Sequence, residues 1–397
     1  MADWSSYKST RKVYLVDGRR TPFGKFGGSL MGQSPVDLAE NCSKALLETL
    51  KLDGSKIDHV VFSSVIPTTT DTLYAGRHLA LRLGADQKTP GYNVNRLCGS
   101  GFQAIVDAYN LILRDEAKCV LVAGAEAMSD APHLMYGARF GTKYGAIPTG
   151  DLLLDSLTDK HCKTPMGITA ENLAEKYDIS REECERYSVD SHLKAVKATK
   201  DGNFSEEIVP FAVRKGELNH DEHVRADVTM EGMQKLRTSF KKDGTVTPAT
   251  ASGIVDGAAS VIIADEKFVQ ENNLTPLAEI VDYKVVGVDP TIMGIGPVDA
   301  IRGLADRASI NIEEVDLFEI NEAFAAQVIA CNRELKISPD KLNIWGGAVA
   351  IGHPLAATGV RCSLTLTKQM NKLNKSTGIA SACIGGGQGY AVYFKKS

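Results

Sequence analysis

Asn93-Val94-Asn95-Arg96-Leu97-Cys98-Gly99-Ser100-Gly101 runs directly into residues 102–113, where Phe102, Ile105, Val106, Tyr109 and Leu113 recur at helical spacing. An apolar run at 119–123 follows and is closed by Gly124, which reads as a buried strand. The unit is strand, glycine-rich turn, helix, strand, and it returns near the C-terminus. There, Asn343-Ile344-Trp345-Gly346-Gly347 and Gly352-His353-Pro354 form a second glycine-rich stretch ahead of a helix expected through 362–370. Apolar strands at 378–383 and 390–394 then flank Gly385-Gly386-Gly387-Gln388-Gly389. The two halves echo each other, which points to an internal duplication.

Working outward, strands are expected at 13–16, 59–65, 258–264, 277–286 and 315–320, and helices at 36–50 and 298–308. This alternation places the chain in the α/β class, with sheets covered by helices. From 129 to 246 the texture changes to charged and small polar residues. A helix-like stretch at 171–177 is followed by Ser180-Arg181-Glu182-Glu183, a capping box in which Ser180 caps and Glu183 reaches back. The segment reads as an insertion. The expected division is residues 1–128 with 247–275, the insertion 129–246, and residues 276–397.

The 397 residues are 43% hydrophobic and 24% charged, the balance of a globular protein with room for more than one core. A formal net charge of -4 gives no reason to expect a nucleic-acid or membrane partner. No apolar run approaches the eighteen or so residues of a membrane span. Residues 1–12 read as a short disordered tail in preference to a targeting segment. The eight cysteines are scattered with no C-x-x-C pair, which argues against a zinc site or a disulfide framework and for a reducing compartment.

Four stretches carry chemistry. Cys98 sits before a helix start, where free N–H groups and the helix dipole favour a thiolate and lower the thiol pKa. The alternative is a small buried cysteine. His353, between glycines and a proline, is either the imidazole that activates a thiol or a histidine satisfied in its turn. Cys383 precedes a glycine turn that can aim N–H groups at an oxyanion. That turn lacks the Lys-Ser/Thr of a P-loop, and no helix follows it in dinucleotide-binding fashion. Asn321-Glu322-Ala323-Phe324 follows a strand end, a usual place for site residues in α/β folds, and Asn321 equally suits a helix N-cap.

Together, Asn95-Arg96-Leu97-Cys98-Gly99-Ser100-Gly101, Asn321-Glu322-Ala323-Phe324, Gly346-Gly347-Ala348 with Gly352-His353-Pro354, and Cys383-Ile384-Gly385-Gly386-Gly387-Gln388-Gly389 resemble the motifs of the thiolase family. The resemblance runs from Arg20-Thr21-Pro22-Phe23-Gly24 to Ala391 and is nearest to mitochondrial-type 3-ketoacyl-CoA thiolases and their bacterial relatives. It implies the thiolase fold, a duplicated five-layer αβαβα arrangement with an inserted loop domain for CoA binding and oligomerisation. It implies that Cys98 forms the acyl-enzyme and that His353 activates it. His353 would also face the thioester oxygen together with a water held by Asn321. Cys383 would move protons, and the N–H groups of Cys98 and Gly385 would form a second oxyanion hole. Arg225 and Ser252 match CoA-binding positions, although Arg225 alone reads as a solvated charge. Leu157, Met166, Phe240 and Phe324 match the pantetheine and acyl tunnel, or are plain core. No metal and no tightly bound cofactor is implied; CoA is a co-substrate, with 3-ketoacyl-CoA and acetyl-CoA as the other ligands.

The expected reaction is CoA-dependent cleavage of a 3-ketoacyl-CoA to acetyl-CoA and a shortened acyl-CoA, reversible as a Claisen condensation, in fatty-acid β-oxidation. Short-chain biosynthetic relatives carry histidine before the Met-Gly of the loop domain, whereas this chain has Pro165 before Met166-Gly167. That disfavours an enzyme restricted to acetoacetyl-CoA. A decarboxylating condensing enzyme would lack Cys383. A non-catalytic acyl-CoA or lipid carrier would have lost Cys98, His353 or Cys383. The resemblance further implies a homodimer or homotetramer, with 139–144 in the joining region. The expected compartment is the cytoplasm, with the mitochondrial matrix as the alternative.

Overall fold

A computed structural model describes residues 11–214 and 216–397. Residues 1–10 of the expected N-terminal tail therefore lie outside the described residues. Among the described residues the main sheet has ten strands, nine of them on its main path: β1 (Val13–Arg20), β2 (His59–Ser63), β3 (Gly91–Val94), β4 (Cys119–Ala127), β5 (Val255–Asp265), β6 (Ala278–Gly287), β7 (Leu317–Ile320), β8 (Thr377–Ile384) and β9 (Gln388–Lys396). Their order is β7-β8-β9-β6-β1-β5-β4-β2-β3, and the short strand Gly24–Lys25 pairs with β5. The helices around it include α1 (Pro35–Leu50), α2 (Ser100–Leu113), α3 (Met166–Lys176), α4 (Arg181–Lys200), α5 (Gly296–Ala308), α6 (Ala325–Leu335) and α7 (Thr358–Lys372).

The duplication is visible in the ladders. β1, β5, β4 and β2 pair antiparallel, antiparallel, parallel, and β6, β9, β8 and β7 repeat that series. Each half carries an irregularity at the same place, between Leu15 and Asp17 in β1 and between Ile280 and Asp282 in β6. At each, the aspartate accepts the N–H of the next residue, Gly18 or Tyr283. Among the described residues, the strand pairs Tyr14 with Glu279 and Leu15 with Ala278 join the two halves edge to edge.

Three apolar clusters separate the layers. α1 covers the outer face of the first half through Val36, Leu38, Cys42 and Leu46. α5 and α6 cover the second half through Val298, Ile301, Leu304 and Val328. Between the halves lie α2 and α7, whose Phe102, Ile105, Val360 and Leu364 share one core with both sheets. The result is the five-layered α/β arrangement. β4 is buried at all nine positions because helices cover both of its faces, which explains its unbroken apolar sequence.

Local signals set the helix ends. Ser34 accepts the N–H of Asp37 ahead of Pro35 in α1, and Ser180 and Glu183 form the expected capping box of α4. Among the described residues, no strand between β4 and β5 joins the main sheet, although an isolated parallel bridge pairs Ile208 with Arg20 at the end of β1. This stretch holds α3, α4 and three two-stranded ribbons, and α3 and α4 pack on α6. α3 begins at Met166, earlier than the periodicity at 171–177 suggests, because its first turn follows Pro165. Asn321 is not a helix cap: α6 starts after Phe324, which occupies the N-cap position with extended φ/ψ.

The two central helices touch backbone to backbone. A Cβ on Gly359 would lie 2.2 Å from the Phe102 nitrogen, and one on Gly101 would lie 2.6 Å from the Val360 nitrogen. Neither partner is a side chain that can swing away. Gly359→Ala is therefore expected to lose about 1–3 kcal/mol by overpacking. Urea denaturation measures this, and an unchanged midpoint would show that the helices separate without cost.

Candidate active site

The loop after β3 delivers Cys98 to the start of α2. Leu97 takes a left-handed backbone, φ 48°, unusual for a bulky residue and a mark of local strain. Arg96 N–H donates to the Ser100 hydroxyl, which donates to the Leu97 carbonyl, closing the turn. Cys98 is half-buried, but protein surrounds its sulfur. It packs against the cluster of Ile66, Met128 and Leu355, which Leu157 also joins.

Burial pushes the Cys98 thiol up to about 11, although the Gly385 and Cys98 N–H groups act on it in the opposite direction. The nearby Glu126 carboxylate adds to the rise. This corrects the expectation that the helix start lowers the pKa. Partial charges at the end of one helix are outweighed when the sulfur loses its water. Glu126 is itself buried and accepts the Val65, Ile66 and Ala356 N–H groups; burial raises its carboxyl to about 7.

His353 follows Gly352, which has φ +100°, and leads through Pro354 into α7. Its Nδ1 lies 2.5 Å from the Thr358 hydroxyl, which also reaches the Pro354 carbonyl at 3.2 Å. A carbonyl only accepts, so the hydroxyl donates to Pro354 and accepts from Nδ1–H. Nε2 then keeps its lone pair, 3.4 Å from Asn321 Nδ2. Burial and the Arg361 charge push His353 down to about 3, so the ring is neutral at pH 7. Arg361 pairs with Glu319 on β7, tying α7 to the strand that leads to Asn321. Asn321 is fully buried and its Oδ1 has no hydrogen-bond partner among the described residues.

Cys383 lies at the end of β8, buried with Met293 and Ala323, and Met166 and Phe324 pack on the same cluster. Burial and the neighbouring Cys98 raise its thiol well above the ordinary range. A Cβ on Gly385 would meet Leu97 Cδ1 at 3.2 Å and Met166 Sδ at 3.3 Å. The Phe240 ring covers Gly167 beside Met166 and is 45% exposed, so it forms a rim and not core.

Glu322, quoted in a motif but given no role from sequence, accepts from Tyr187 and Ser191 on α4, from Asn343 Nδ2 and from the Val349 N–H. It clamps the glycine-rich stretch before His353 onto α4. A Cβ at Gly347 would lie 2.3 Å from its carboxyl carbon.

Arg225 is exposed, as a solvated charge would be. It lines a cleft of about 260 Å³ with His192, His223, Met233, Leu236 and Pro248. Ser252 is half-buried and donates its N–H to the Ala323 carbonyl, next to the Ala251–Phe324 bridge. The structure thus gathers Cys98, Cys383, Gly385, Leu157, Met166 and Phe324 at one end of the central helices, with Asn321 and His353 paired there, and sets Arg225 in a separate cleft. Thr358, Glu126 and His223 were missed from sequence. The spacing of Thr358, five residues after His353 in one glycine-rich run, was the available signal for that residue. Among the described residues, no group of three or more His, Cys, Asp or Glu is placed to hold a metal.

Residues 13–267 match the family described as Thiolase, N-terminal domain, and residues 274–396 match Thiolase, C-terminal domain. The chain belongs to the thiolase family. It is 45% identical over 392 residues to a mouse protein named 3-ketoacyl-CoA thiolase, mitochondrial, covering 98% of this chain and 99% of that one. A Staphylococcus aureus protein named probable acetyl-CoA acyltransferase is 43% identical, covering 97% of this thiolase and 99% of the relative. The structure of human mitochondrial 3-ketoacyl-CoA thiolase in complex with CoA superposes with a TM-score of 0.95 at 46% identity, covering 98% of each chain.

The two pKa shifts of this thiolase oppose an ion pair: thiol near 11, imidazolium near 3. The resting proton stays on sulfur. Carbamidomethylation of Cys98 is expected to accelerate about tenfold per pH unit from pH 7 to 9, following the thiolate fraction. A rate plateau near neutral pH would indicate a preformed thiolate–imidazolium pair instead.

Proposed function

We propose that this thiolase cleaves 3-ketoacyl-CoA with CoA through an acyl-enzyme on Cys98. The observation that carries the reading is a pair of neighbouring buried thiols, Cys98 and Cys383, with the Gly385 N–H on the first sulfur. Cys98 attacks the 3-keto carbon and passes its proton to the free Nε2 of His353. The bond between carbons 2 and 3 breaks, leaving the acyl group on Cys98 and an acetyl-CoA enolate that Cys383 protonates. Cys383 then takes the proton of an incoming CoA thiol, which attacks the acyl-enzyme and frees Cys98. One thiol makes the covalent bond and the other moves protons.

The raised thiol pKa fits such a scheme: the thiolate forms as its bond to carbon forms. In this reading the Cys98 and Gly385 N–H groups, which act on the resting sulfur, serve the developing oxyanion. The unpartnered Oδ1 of Asn321 suits a water beside His353 Nε2, which becomes a donor once it has taken the Cys98 proton. No tightly bound cofactor enters the scheme; CoA is the co-substrate.

The nucleotide of CoA is assigned to the cleft of Arg225, with Ser252 along the path to the site. Leu157, Met166, Phe240 and Phe324 line the way in. The segment 129–246 is assigned as the loop domain, inserted between residues 1–128 and 247–275, with 276–397 as the second core domain. A dimer or tetramer is supported by Phe140 and Tyr144, 94% and 99% exposed beside Arg139. Among the described residues, no helix is long and apolar enough to cross a membrane. The mitochondrial names of the mammalian relatives favour the matrix over the cytoplasm.

Purified protein given free CoA with acetoacetyl-CoA or a longer 3-ketoacyl-CoA is expected to release acetyl-CoA from both. No thiolysis of either substrate would overturn the reading. Turnover of acetoacetyl-CoA alone would return it to the short-chain class that Pro165 argues against. Cys98→Ala is expected to show no acyl adduct by mass spectrometry, and an adduct on that variant would move the nucleophile elsewhere. Arg225→Ala is expected to raise the KM for CoA by about ten- to a hundredfold, the range of a lost charge-assisted hydrogen bond; an unchanged KM would place the nucleotide outside this cleft.

A further inference from the structure

We infer that His223 is a positioning residue that holds the turn carrying His353 from the wall of the Arg225 cleft. The inference rests on the role of His353 proposed above. His223 Nδ1 lies 2.9 Å from the Ala350 carbonyl. A carbonyl can only accept, so Nδ1 carries the hydrogen and donates. Burial lowers the pKa of the ring and keeps it in this neutral form. The rest of the ring lies flat on Gly253, where a Cβ would sit 2.5 Å from both Cδ2 and Nε2. The Gly253 carbonyl in turn accepts the backbone N–H of His353 at 2.9 Å.

His223 thus touches both backbone segments that frame His353. Ala350 stands three residues before it, and Gly253 holds its N–H. Between them lies Gly352, whose φ of +100° belongs to the region that favours glycine. A turn built on glycine restrains itself poorly, and an outside donor supplies the missing restraint. The same ring stacks on His192 at 6.1 Å between centroids, and His192 Nδ1 accepts the Arg225 N–H. One imidazole therefore stands between the cleft and the proposed catalytic base without touching the reacting atoms.

A nucleotide-free thioester separates positioning from binding. Acylation of Cys98 is followed with acetyl-CoA and with S-acetylpantetheine, which cannot fill the Arg225 cleft. In either reaction the acetyl group moves to the Cys98 sulfur, the Cys98 proton passes to His353, and Cys383 protonates the departing thiolate. His223→Phe keeps a flat ring on Gly253 and removes the donor; His223→Asn keeps a donor and removes the ring. His223→Phe is expected to slow acylation about five- to tenfold with both thioesters, the worth of one buried hydrogen bond, and His223→Asn to recover part of that loss. Loss with acetyl-CoA alone would make His223 merely a wall of the cleft, and no loss with either thioester would remove it from the reaction; both results overturn the inference. If wild type shows equal KM values for the two thioesters, the nucleotide assignment of the cleft fails, while the S-acetylpantetheine comparison still tests His223. Should His223→Phe not fold, His223→Leu is assayed in its place against the same outcomes.

Discussion

Two helices buried in the middle layer meet backbone to backbone at Gly101 and Gly359, and the spacing of the site depends on that contact. Gly101 lies three residues after Cys98, and Gly359 six after His353. Any side chain at either glycine separates the helices and, with them, the turns that deliver the thiol and the imidazole. Each half of the duplication contributes one helix and one reactive turn. The contact between the two halves is therefore both the centre of the core and the floor of the chemistry.

Such a deep location has an electrostatic consequence. Both cysteines and the histidine lose water, and each is driven toward its neutral form. A buried neutral triad avoids the cost of isolated charges, and charge need appear only as bonds change. Hydrogen bonds then fix orientation. Thr358 determines which His353 nitrogen is free, and the Gly385 N–H already faces the Cys98 sulfur.

Residues between β4 and β5 reach back over the second half of the chain. Through Tyr187 and Ser191, α4 meets Glu322 and locks the Gly346-Gly347 stretch, while His223 supports the next part of the same turn. Arg20 on β1 is fully buried between Glu207 and Asp221, which anchors the far end of this segment. Losing the arginine would strand two buried carboxylates, so the anchor is costly to break.

Much of this was readable from residue order alone. Periodicity and glycine-rich turns marked the βα units and their repetition, because burial on one face or both leaves a period in the sequence. The Ser180–Glu183 cap was legible because its partners are three residues apart. Cys98, His353, Cys383 and Asn321 were legible as motifs. β3 was not, since it is a short strand with little buried surface. The tertiary structure alone decided the rest. It reversed the expected shift of Cys98, because desolvation depends on everything packed around the sulfur. It moved Asn321 off a helix cap, and it paired Arg361 with Glu319 and His223 with Ala350 across long stretches of chain. Sequence records what neighbours along the chain require of each other; contacts between distant residues, and the water they displace, exist only once the chain has folded.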